Sequence, residues 1–293
     1  AWKRERFGVV GPDFVRELFK YDPRITHYIT FPLKRKKKLS TYWKIVRELR
    51  KENGELGVIF VNTFISALLF RLGNVKKNIG YNREGRGFLL DFSPEINYHK
   101  HYINRYAFLF NEYIGNKYVY LPELSLRHTG QKTFQFDNSH KTIALYLGGE
   151  NKEFRKYPDE YAVQLLRLLN RQGYNLLLIG DENDNIKHTQ YAEEARIDHL
   201  INLTARTTIE GFINTIANVD LIITIDSSAL HIAAAVKTPF IALMGLSTSP
   251  TSTILPKVPL GRILKIENNL IREEDYIRNI TPDLILKTIS ELI

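Results

Sequence analysis

Residues 221–250, LIITIDSSALHIAAAVKTPFIALMGLSTSP, decide the fold predicted for this chain. The segment opens with an apolar, mostly β-branched run, which is typical of a strand buried on both faces. Asp226 ends the run, a short apolar helix follows around His231, and a second strand is predicted over residues 240–244. Because a helix N-terminus offers free N–H groups and a favourable dipole to negative charge, this step predicts an anion site. A diphosphate is the expected occupant, and Asp226 and His231 would bind the rest of a nucleotide-linked substrate.

Short apolar strands alternate with helices through the rest of the chain. In the second half, strands and helices are predicted in turn over residues 142–147, 158–172, 175–179, 186–195, 199–203 and 209–218, with a last helix over 282–292. In the first half, strands are predicted over residues 7–11, 28–31 and 56–61, and helices over residues 40–52, 65–72 and 102–113. Repeated strand–helix units predict an α/β fold whose parallel sheets are covered on both faces.

Residues 121–141 lack this periodicity and are rich in Pro, Ser, Gly, Gln and Asn, which is typical of a linker. We therefore expect two domains, residues 1–128 and 129–293, each with a Rossmann-like parallel sheet, facing each other across a cleft. The last helix is a candidate to pack back on the first domain. Because the chain opens at Ala1 with what looks like the end of a helix, we also expect the first strand–helix unit to be missing.

The composition is that of a globular protein, because 44% of the 293 residues are hydrophobic and 25% are charged. No apolar run in the sequence approaches the roughly 18 residues that a membrane span needs. The absence of cysteine excludes disulfides and thiolate sites and fits a reducing cytoplasm. The net charge is +9, and the densest basic run, KRKKK at residues 34–38, is either a solvated loop or a contact with an anionic membrane face. The sequence carries no recognisable nucleic-acid motif.

The loops that follow parallel strands gather at one edge of the sheet, where ligands bind. After the strand at residues 142–147, Gly148 and Gly149 would let a ligand approach the backbone. Arg155 and Lys156 follow in the same loop and would neutralise phosphate. This loop is therefore expected to contact the diphosphate.

The remaining strand ends add further polar groups to the same edge. Glu182 and Asp184 would bind ribose hydroxyls, although a role in the turn alone is an equally good interpretation. Thr204 follows the next strand, and Ser247 follows the strand at residues 240–244. Taken alone, His231 is better interpreted as a helix histidine with a partner in the protein than as a ligand contact. The interpretation as a site depends on all five loops converging.

The spacing of these segments resembles the bacterial glycosyltransferase family that contains the lipopolysaccharide heptosyltransferases. The family pattern Asp-(Ser/Thr)-Gly-x-x-His, Pro, Gly-Pro-(Ser/Thr)-x-Pro is matched by DSSALH at residues 226–231, Pro239, and GLSTSP at residues 245–250. The family's Pro-Gly-Ala and Lys-Arg-Trp-Pro steps correspond to LGG at residues 147–149 and RKYP at 155–158, and NLT at residues 202–204 also matches. In the first half, NTFISAL at residues 62–68 and GYNREGR at 80–86 resemble the family's acceptor-domain signatures.

Three departures from the family pattern matter. Ser228 stands where the family usually has Gly, so the diphosphate loop is expected to differ in shape. Arg155 replaces the usual Lys, which keeps the charge and changes its geometry. The Gly-Asp loop whose Asp is thought to be the family's catalytic base has no counterpart, so the base is expected upstream of Ala1.

The resemblance implies a GT-B glycosyltransferase that transfers heptose with inversion from ADP-heptose to an inner-core sugar of lipopolysaccharide. No cofactor is implied, and the lack of an Asp-x-Asp pair or clustered His fits transfer without a metal ion. The implied donor site, with Arg155 as its catalytic residue, comprises Gly148, Gly149, Arg155, Lys156, Glu182, Thr204, Asp226, Ser227, Ser228, His231 and Ser247. The implied acceptor site comprises Asn62, Ser66, Arg83 and Arg86, for which strand-end turns and surface charge are an equally good interpretation.

The implied partners are a nucleotide-sugar donor and a lipid-linked oligosaccharide acceptor, with no nucleic acid. The implied location is the cytoplasm, with peripheral contact at the inner face of the inner membrane. Three alternatives stay open: a family member that glycosylates a protein or another polysaccharide, a nucleotide-sugar epimerase of the same architecture, and a nucleotide-binding protein without catalysis.

Overall fold

The computed structural model describes residues 6–32, 39–120, 123–246, 250–266 and 272–293. By its contacts the chain divides into two compact units, Ala1–Glu123 with Ser252–Ile254, and Leu124–Thr251 with Leu255–Ile293. The sequence prediction placed the division five residues later, after residue 128. Both units are built from parallel strands and helices, which confirms the predicted α/β class.

The first unit contains four short strands and four helices. The strands are β1 (Phe7–Gly11), β2 (Ile25–Thr30), β3 (Leu56–Ile59) and β4 (Lys77–Gly80). The helices are α1 (Asp13–Leu18), α2 (Leu39–Glu52), α3 (Phe64–Leu72) and α4 (Tyr102–Tyr113). Among the described residues, β1 pairs with β2 and β3 pairs with β4, both in parallel, so the strands form two separate pairs.

The core of the first unit lies between its strands and the inner faces of two helices. Ile45, Val46 and Leu49 of α2 are buried against Leu69 of α3, and Val10 of β1 packs on the same cluster. The spacing of the α2 residues places them on one face of the helix, which is why the other face of α2 is exposed.

The second unit has a six-stranded parallel sheet covered by helices. Its strands are β5 (Thr142–Tyr146), β6 (Asn175–Leu178), β7 (Leu200–Asn202), β8 (Leu221–Ile225), β9 (Phe240–Leu243) and β10 (Gly261–Leu264), in the order β10-β9-β8-β5-β6-β7. Its helices are α5 (Asp159–Arg171), α6 (Asn185–Ala195), α7 (Ile209–Ala217), α8 (Ser228–Val236), α9 (Thr251–Ile254, partly in the first unit) and α10 (Pro282–Ile289). The central strands β5, β6, β8 and β9 are buried along their whole length, as continuous apolar runs predict.

The last helix packs within the second unit. Thr281 caps α10 by accepting a hydrogen bond from the Leu284 N–H, and Pro282 occupies the first turn, where it removes no helical bond. Ile285 and Ile289 join the core beside β9 and α5. The contacts described for α10 lie within the second unit, and its packing against the first unit stays a prediction. The helix ends at Ile289 rather than at residue 292.

Four elements were not predicted from the sequence and have weak patterns: α1, β4, α9 and β10. Helix α1 buries none of its residues, and β4 is only four residues long. Strand β10 lies at the edge of the sheet, and its Gly261 packs so closely on the ring of Phe240 that a Cβ would overlap it. Short or exposed elements carry too few apolar positions to show a period.

Candidate functional site

The loops that carry the predicted donor residues converge at one edge of the second sheet. Strands β5 to β9 run parallel to their neighbours, so all five carboxyl ends lie at the same edge. Strand β5 sits between β8 and β6 and marks the point where the chain order reverses. This is the position where open parallel sheets bind ligands.

Helix α8 begins directly after β8 and presents its N-terminus at this edge. Asp226 is buried at the end of the strand, and Ser227 is the N-cap, whose Oγ accepts a hydrogen bond from the Ala229 N–H at 3.2 Å. The Ser227 hydroxyl also shares a hydrogen bond with Thr224 Oγ1 at 3.0 Å. The sequence assigned this hydroxyl to a ligand, but in the structure it holds the start of the helix.

Two exposed side chains lie on the first turn of α8. Ser228 is the first helical residue, and His231 follows three residues later, so both are on the same face. The neighbouring alanines of α8 are buried, whereas His231 is exposed. Both residues are therefore placed where a ligand at the helix N-terminus would contact them.

Arg155 connects the loop after β5 to the end of β8. Its Nη1 donates a hydrogen bond to the backbone carbonyl of Asp226 at 3.3 Å, and the side chain is partly buried. The structure gives its other guanidinium N–H groups no hydrogen bond to any residue in the described ranges. The fork is therefore held beside the N-terminus of α8, and most of its donors remain available to an anion.

Lys152, which the sequence analysis did not select, lies in the same loop. Its Nζ donates to Asp181 Oδ2 at 2.9 Å and lies 5.6 Å from the ring centroid of Tyr146. Burial would raise the pKa of Asp181, but the bonds from Lys152 and from the Asn183 N–H outweigh it and lower this pKa. The ion pair joins the loops after β5 and β6. A lysine three residues before Arg155 was the only signal for it in the sequence.

Lys156, predicted to neutralise phosphate, is bonded within the protein. Its Nζ donates to Asp159 Oδ1 at 2.8 Å, and Lys187 donates to Asp159 Oδ2 at 3.0 Å. Tyr191 also donates its hydroxyl to Asp159, and although burial opposes the effect, these bonds lower the pKa of Asp159 to about 2. Lys156 is thus held by an ion pair at the N-terminal turn of α5.

The two glycines after β5 serve the backbone and the packing. Gly148 has a φ of +79°, a conformation that L side chains rarely adopt. A Cβ on Gly149 would lie 2.5 Å from the carbonyl oxygen of Asn183, so the loop after β5 packs directly on the loop after β6. At Gly149, the absent side chain therefore allows a close contact with the protein backbone.

The loop after β6 buries a different carboxylate from the one favoured by the sequence. Glu182 is exposed, whereas Asp184 is fully buried. One Asp184 oxygen accepts the Asp181 N–H at 3.0 Å, and the other oxygen has no hydrogen-bond partner in the described part of the chain. Asp184 is therefore held within the protein, and Glu182 is the carboxylate of the two that a ribose could reach.

Thr204 is buried and belongs to a closed pair. Its hydroxyl is hydrogen-bonded to His188 Nδ1 at 2.8 Å, and both side chains are inaccessible to solvent. Burial lowers the pKa of His188 to about 4, so its ring is neutral at pH 7. Thr204 therefore fixes α6 to the loop after β7. The remaining donor candidate, Ser247, lies outside the described residues.

Three of the four predicted acceptor residues meet in the first unit, around a buried guanidinium. Arg86 is fully buried, and burial lowers its pKa. It donates to Asn62 Oδ1 at 3.0 Å and Ser66 Oγ at 3.0 Å. Its other bonds go to the backbone carbonyls of Val61, Thr63 and Tyr81. Arg86 thus shapes the loops after β3 and β4 and does not face an acceptor itself.

The surface around this network is polar on one side and apolar on the other. Arg83, the fourth acceptor candidate, is exposed and lies 5.5 Å above the ring of Tyr98. Phe60, Phe64 and Phe88 are exposed at the carboxyl ends of β3 and β4, with the Phe64 and Phe88 rings 6.1 Å apart. An apolar contact surface beside the acceptor candidates was not predicted from the sequence.

The described residues were also compared with what a metal site or a separate pocket requires. No group of three or more His, Cys, Asp or Glu side chains in these ranges is arranged to hold a metal ion. A recess of about 640 Å³ is lined by Arg167, Glu194 and Arg196 near the end of α6. Because α6 starts at the carboxyl edge and runs away from it, this recess lies at the opposite edge of the sheet from the strand-end loops.

Comparisons with known proteins bear on the family and the fold of the chain. Residues 42–274 match the family model described as glycosyltransferase family 9 (heptosyltransferase). The chain is 26% identical to lipooligosaccharide heptosyltransferase 2 of Haemophilus influenzae, over 97% of this chain and 90% of that protein. It is 23% identical to lipopolysaccharide heptosyltransferase 2 of Escherichia coli, over 97% and 89%.

Solved structures show the same fold. An E. coli ADP-heptose lipopolysaccharide heptosyltransferase II has a TM-score of 0.85 at 21% identity, covering 99% of this chain and 90% of that one. A family 9 glycosyltransferase of Veillonella parvula has a TM-score of 0.84 at 16% identity, covering 98% and 88%. These likenesses establish the GT-B fold predicted from the sequence.

Proposed function

Because the chain belongs to glycosyltransferase family 9, the heptosyltransferase family, we propose that it transfers a heptose from ADP-heptose to an inner-core sugar of lipopolysaccharide. The names of two relatives support heptose transfer to lipopolysaccharide, and the name of the E. coli ADP-heptose lipopolysaccharide heptosyltransferase II supports the donor. The observation that carries the proposal is the position of Arg155, which is bonded to the Asp226 carbonyl beside the N-terminus of α8. A guanidinium and a helix N-terminus together suit the diphosphate of a nucleotide sugar.

In the proposed mechanism, an acceptor hydroxyl loses its proton to a carboxylate base and attacks the anomeric carbon. The bond to the diphosphate oxygen breaks on the opposite face, so configuration inverts and ADP leaves. Negative charge grows on the diphosphate as this bond breaks. Arg155 and the N-terminal turn of α8 stabilise that charge, which is how the protein lowers the barrier.

The second unit is the proposed donor-binding unit. Arg155, Asp226, Ser228 and His231 would contact the donor, and Glu182 would bind the ribose. Gly148, Gly149, Ser227 and Thr204 would shape this site through the contacts described above, and Ser247 is kept as a candidate. Lys156 is the weakest donor candidate, because Asp159 already holds its ammonium group.

The first unit is the proposed acceptor-binding unit. Arg83 is exposed and would contact the acceptor, whereas Arg86, Asn62 and Ser66 would position the loops that contact it. Because the proposed acceptor is lipid-linked, we infer that the enzyme acts in the cytoplasm at the inner face of the inner membrane. No helix within the described ranges is long and apolar enough to cross a membrane.

The experiment is a transfer assay with ADP-heptose and lipopolysaccharide truncated before its first or second heptose. The expected products are ADP and an acceptor heavier by one heptose, identified by mass spectrometry. Release of free heptose or an isomerised nucleotide sugar without any acceptor would indicate the epimerase alternative. Binding of ADP without any turnover would indicate a nucleotide-binding protein.

Site assignment is tested separately by titrating ADP into wild type, Arg155→Ala and Arg171→Ala by calorimetry. Arg171 is the matched control, since it lies at the far end of α5. We expect Arg155→Ala alone to weaken ADP binding. Equal affinity in all three proteins would remove Arg155 from the donor site.

A further inference from the structure

Helix α2 of the first unit has an outer face that no described part of that unit covers. Its inner face buries Ile45, Val46 and Leu49 in the core. On the outer face, Leu39 is 72% exposed and Trp43 is 55% exposed. These two residues are four positions apart, so they lie one turn apart on the same side of the helix. The helix therefore presents a small apolar surface to solvent at its N-terminal end.

The side chains are of the kind that enter a lipid interface. Tryptophan has an apolar ring with one polar N–H, and it concentrates where hydrocarbon meets water at a membrane surface. Leucine beside it adds apolar area on the same side. Together they would insert to the depth of the lipid headgroups while the helix axis stays parallel to the surface.

The charge around this surface selects the partner. Between residues 34 and 51 the sequence holds nine Lys or Arg and a single Glu. The excess of eight positive charges in this segment is close to the net charge of +9 for the whole chain. Lys44 and Arg47 are exposed on α2 itself. A protein partner of ordinary composition would not require such a concentration of charge, whereas an anionic lipid surface attracts it.

The acidic residues of α2 do not cancel this charge. Glu48 accepts a hydrogen bond from Lys51 at 3.0 Å, and Glu52 lies 3.5 Å from His27 Nδ1. Both carboxylates are thus directed toward neighbours at the C-terminal end of the helix. The N-terminal end, which carries Leu39 and Trp43, has no acidic residue in its first turn.

We propose that the outer face of α2, with Leu39 and Trp43 inserted and Lys44 and Arg47 at the headgroups, docks this protein on an anionic bilayer. This deepens the proposed function, on which it rests for the presence of a membrane-borne acceptor. None of the acceptor candidates belongs to α2, which lies in the chain between β2 and β3.

Trp43 provides a direct probe of docking. The chain has two tryptophans, Trp2 and Trp43, so a Trp2→Phe background leaves Trp43 as the sole indole. In that background, we expect its emission to shift to shorter wavelength on adding vesicles of phosphatidylglycerol in phosphatidylcholine. Brominated lipids in the same vesicles should quench it. Vesicles of phosphatidylcholine alone should cause neither effect, because they lack the negative charge.

Vesicle co-sedimentation of the full chain then tests the face by substitution. We expect Leu39→Glu combined with Trp43→Glu to weaken binding to the anionic vesicles at least tenfold. Lys44→Ala and Arg47→Ala should each weaken it roughly fivefold, the equivalent of about 1 kcal/mol per basic residue near the surface. Ile186→Glu is the matched control, because Ile186 is a 64% exposed apolar residue on α6 of the second unit, and it should bind like wild type.

Several results would overturn the proposal: binding that does not distinguish anionic from neutral vesicles, full binding by the double Glu variant, or an equal loss in the Ile186 control. A fall in the mass of the protein in solution caused by the double variant would instead show a self-association surface. Turnover of a deacylated, water-soluble acceptor should be unchanged in the double variant. If no protein turns over any acceptor while vesicle binding persists, the proposed function fails and this surface stands.

Discussion

Two arginines, one in each unit, use the same side chain in opposite ways. Arg86 is fully buried, and its guanidinium donates to side chains and to three backbone carbonyls of the loops after β3 and β4. Arg155 is partly buried and donates to the Asp226 carbonyl. The Arg86 guanidinium donates its hydrogen bonds to other groups of the protein. Most N–H groups of the Arg155 guanidinium bond to no residue in the described part of the chain.

The bonding of a side chain therefore distinguishes residues that organise a site from residues that contact the ligand. A side chain whose polar atoms are all bonded to protein should affect stability when it is removed. A side chain held by one bond at a ligand-binding edge should affect turnover. Each of the following substitutions tests one side of this distinction.

Arg86→Ala is expected to have the largest effect, on stability. It leaves the carbonyls of Thr63 and Tyr81 and the Asn62 side chain without their donor inside the first unit. We expect the free energy of unfolding of that unit to fall by roughly 3–5 kcal/mol, as for other broken buried charge networks. Urea unfolding followed by circular dichroism measures it. Arg83→Ala is the control, with a loss of at most about 1 kcal/mol for its contact with Tyr98; equal losses would contradict the distinction.

Arg155→Ala should leave stability nearly unchanged and slow the reaction. By analogy with the loss of one donor to a developing charge, kcat should fall roughly 10²–10³-fold, or about 3–4 kcal/mol. Steady-state kinetics with ADP-heptose measures this, and urea unfolding should agree with wild type to within about 0.5 kcal/mol. Arg155→Lys should recover part of the rate, because it restores charge without the fork. Wild-type turnover in the Ala variant would exclude the role.

His188 extends the comparison to a buried pair in the second unit. Its pKa is lowered to about 4 by burial, whereas in the unfolded chain it titrates near its usual value of about 6.5. As pH falls below about 6.5, the unfolded state therefore gains a proton that the folded state resists. We expect this residue to account for about 2 kcal/mol of lost stability between pH 7 and pH 5.

His188→Gln checks that pH dependence. The variant loses the bond to Thr204 and should be less stable at pH 7, but its stability should fall less steeply toward pH 5. Parallel urea titrations at both pH values give the two slopes. Identical slopes in the two proteins would show that His188 does not resist protonation.

Two neighbouring serines give the smallest and most local test. Ser227→Ala removes the N-cap bond to the Ala229 N–H and should cost about 1 kcal/mol of stability. Ser228→Ala, at the exposed first position of α8, should change stability by less than about 0.5 kcal/mol. If Ser228 contacts the donor, that variant should instead raise the KM for ADP-heptose. The opposite pattern would reverse the roles given to the two hydroxyls.

The sequence predicted the second unit well because its physical signals are local. Strands such as β8 are continuous apolar runs, and parallel pairing then places their loops at one edge without further information. The step from β8 into α8 was predicted for the same reason. The first unit was predicted less completely, since α1 buries no residue and β4 is short.

The uses of individual side chains could not be predicted, because they depend on partners distant in sequence. Arg86 is 24 residues from Asn62, and the turn sequence gives no indication that its guanidinium is buried. The sequence predicted Lys156 as a phosphate ligand. In the structure, Lys156, Lys187 and Tyr191 all donate hydrogen bonds to Asp159, which is close to none of them except Lys156 in sequence. Glu182 and Asp184 lie in the same turn, and the sequence does not show which of them is buried. Asp184 is buried because Gly149 packs against it and the Asp181 N–H donates to it.

The separate strand pairs of the first unit have a consequence for its motions. Among the described residues, β1 and β2 pair only with each other, and such a pair is marginal without its side-chain packing against α2. Amide hydrogens of these strands should therefore exchange with deuterated water well before those of β5 and β8, through openings that leave the larger sheet intact. Proteases added to the native protein should find their earliest cleavage points in this same part of the chain.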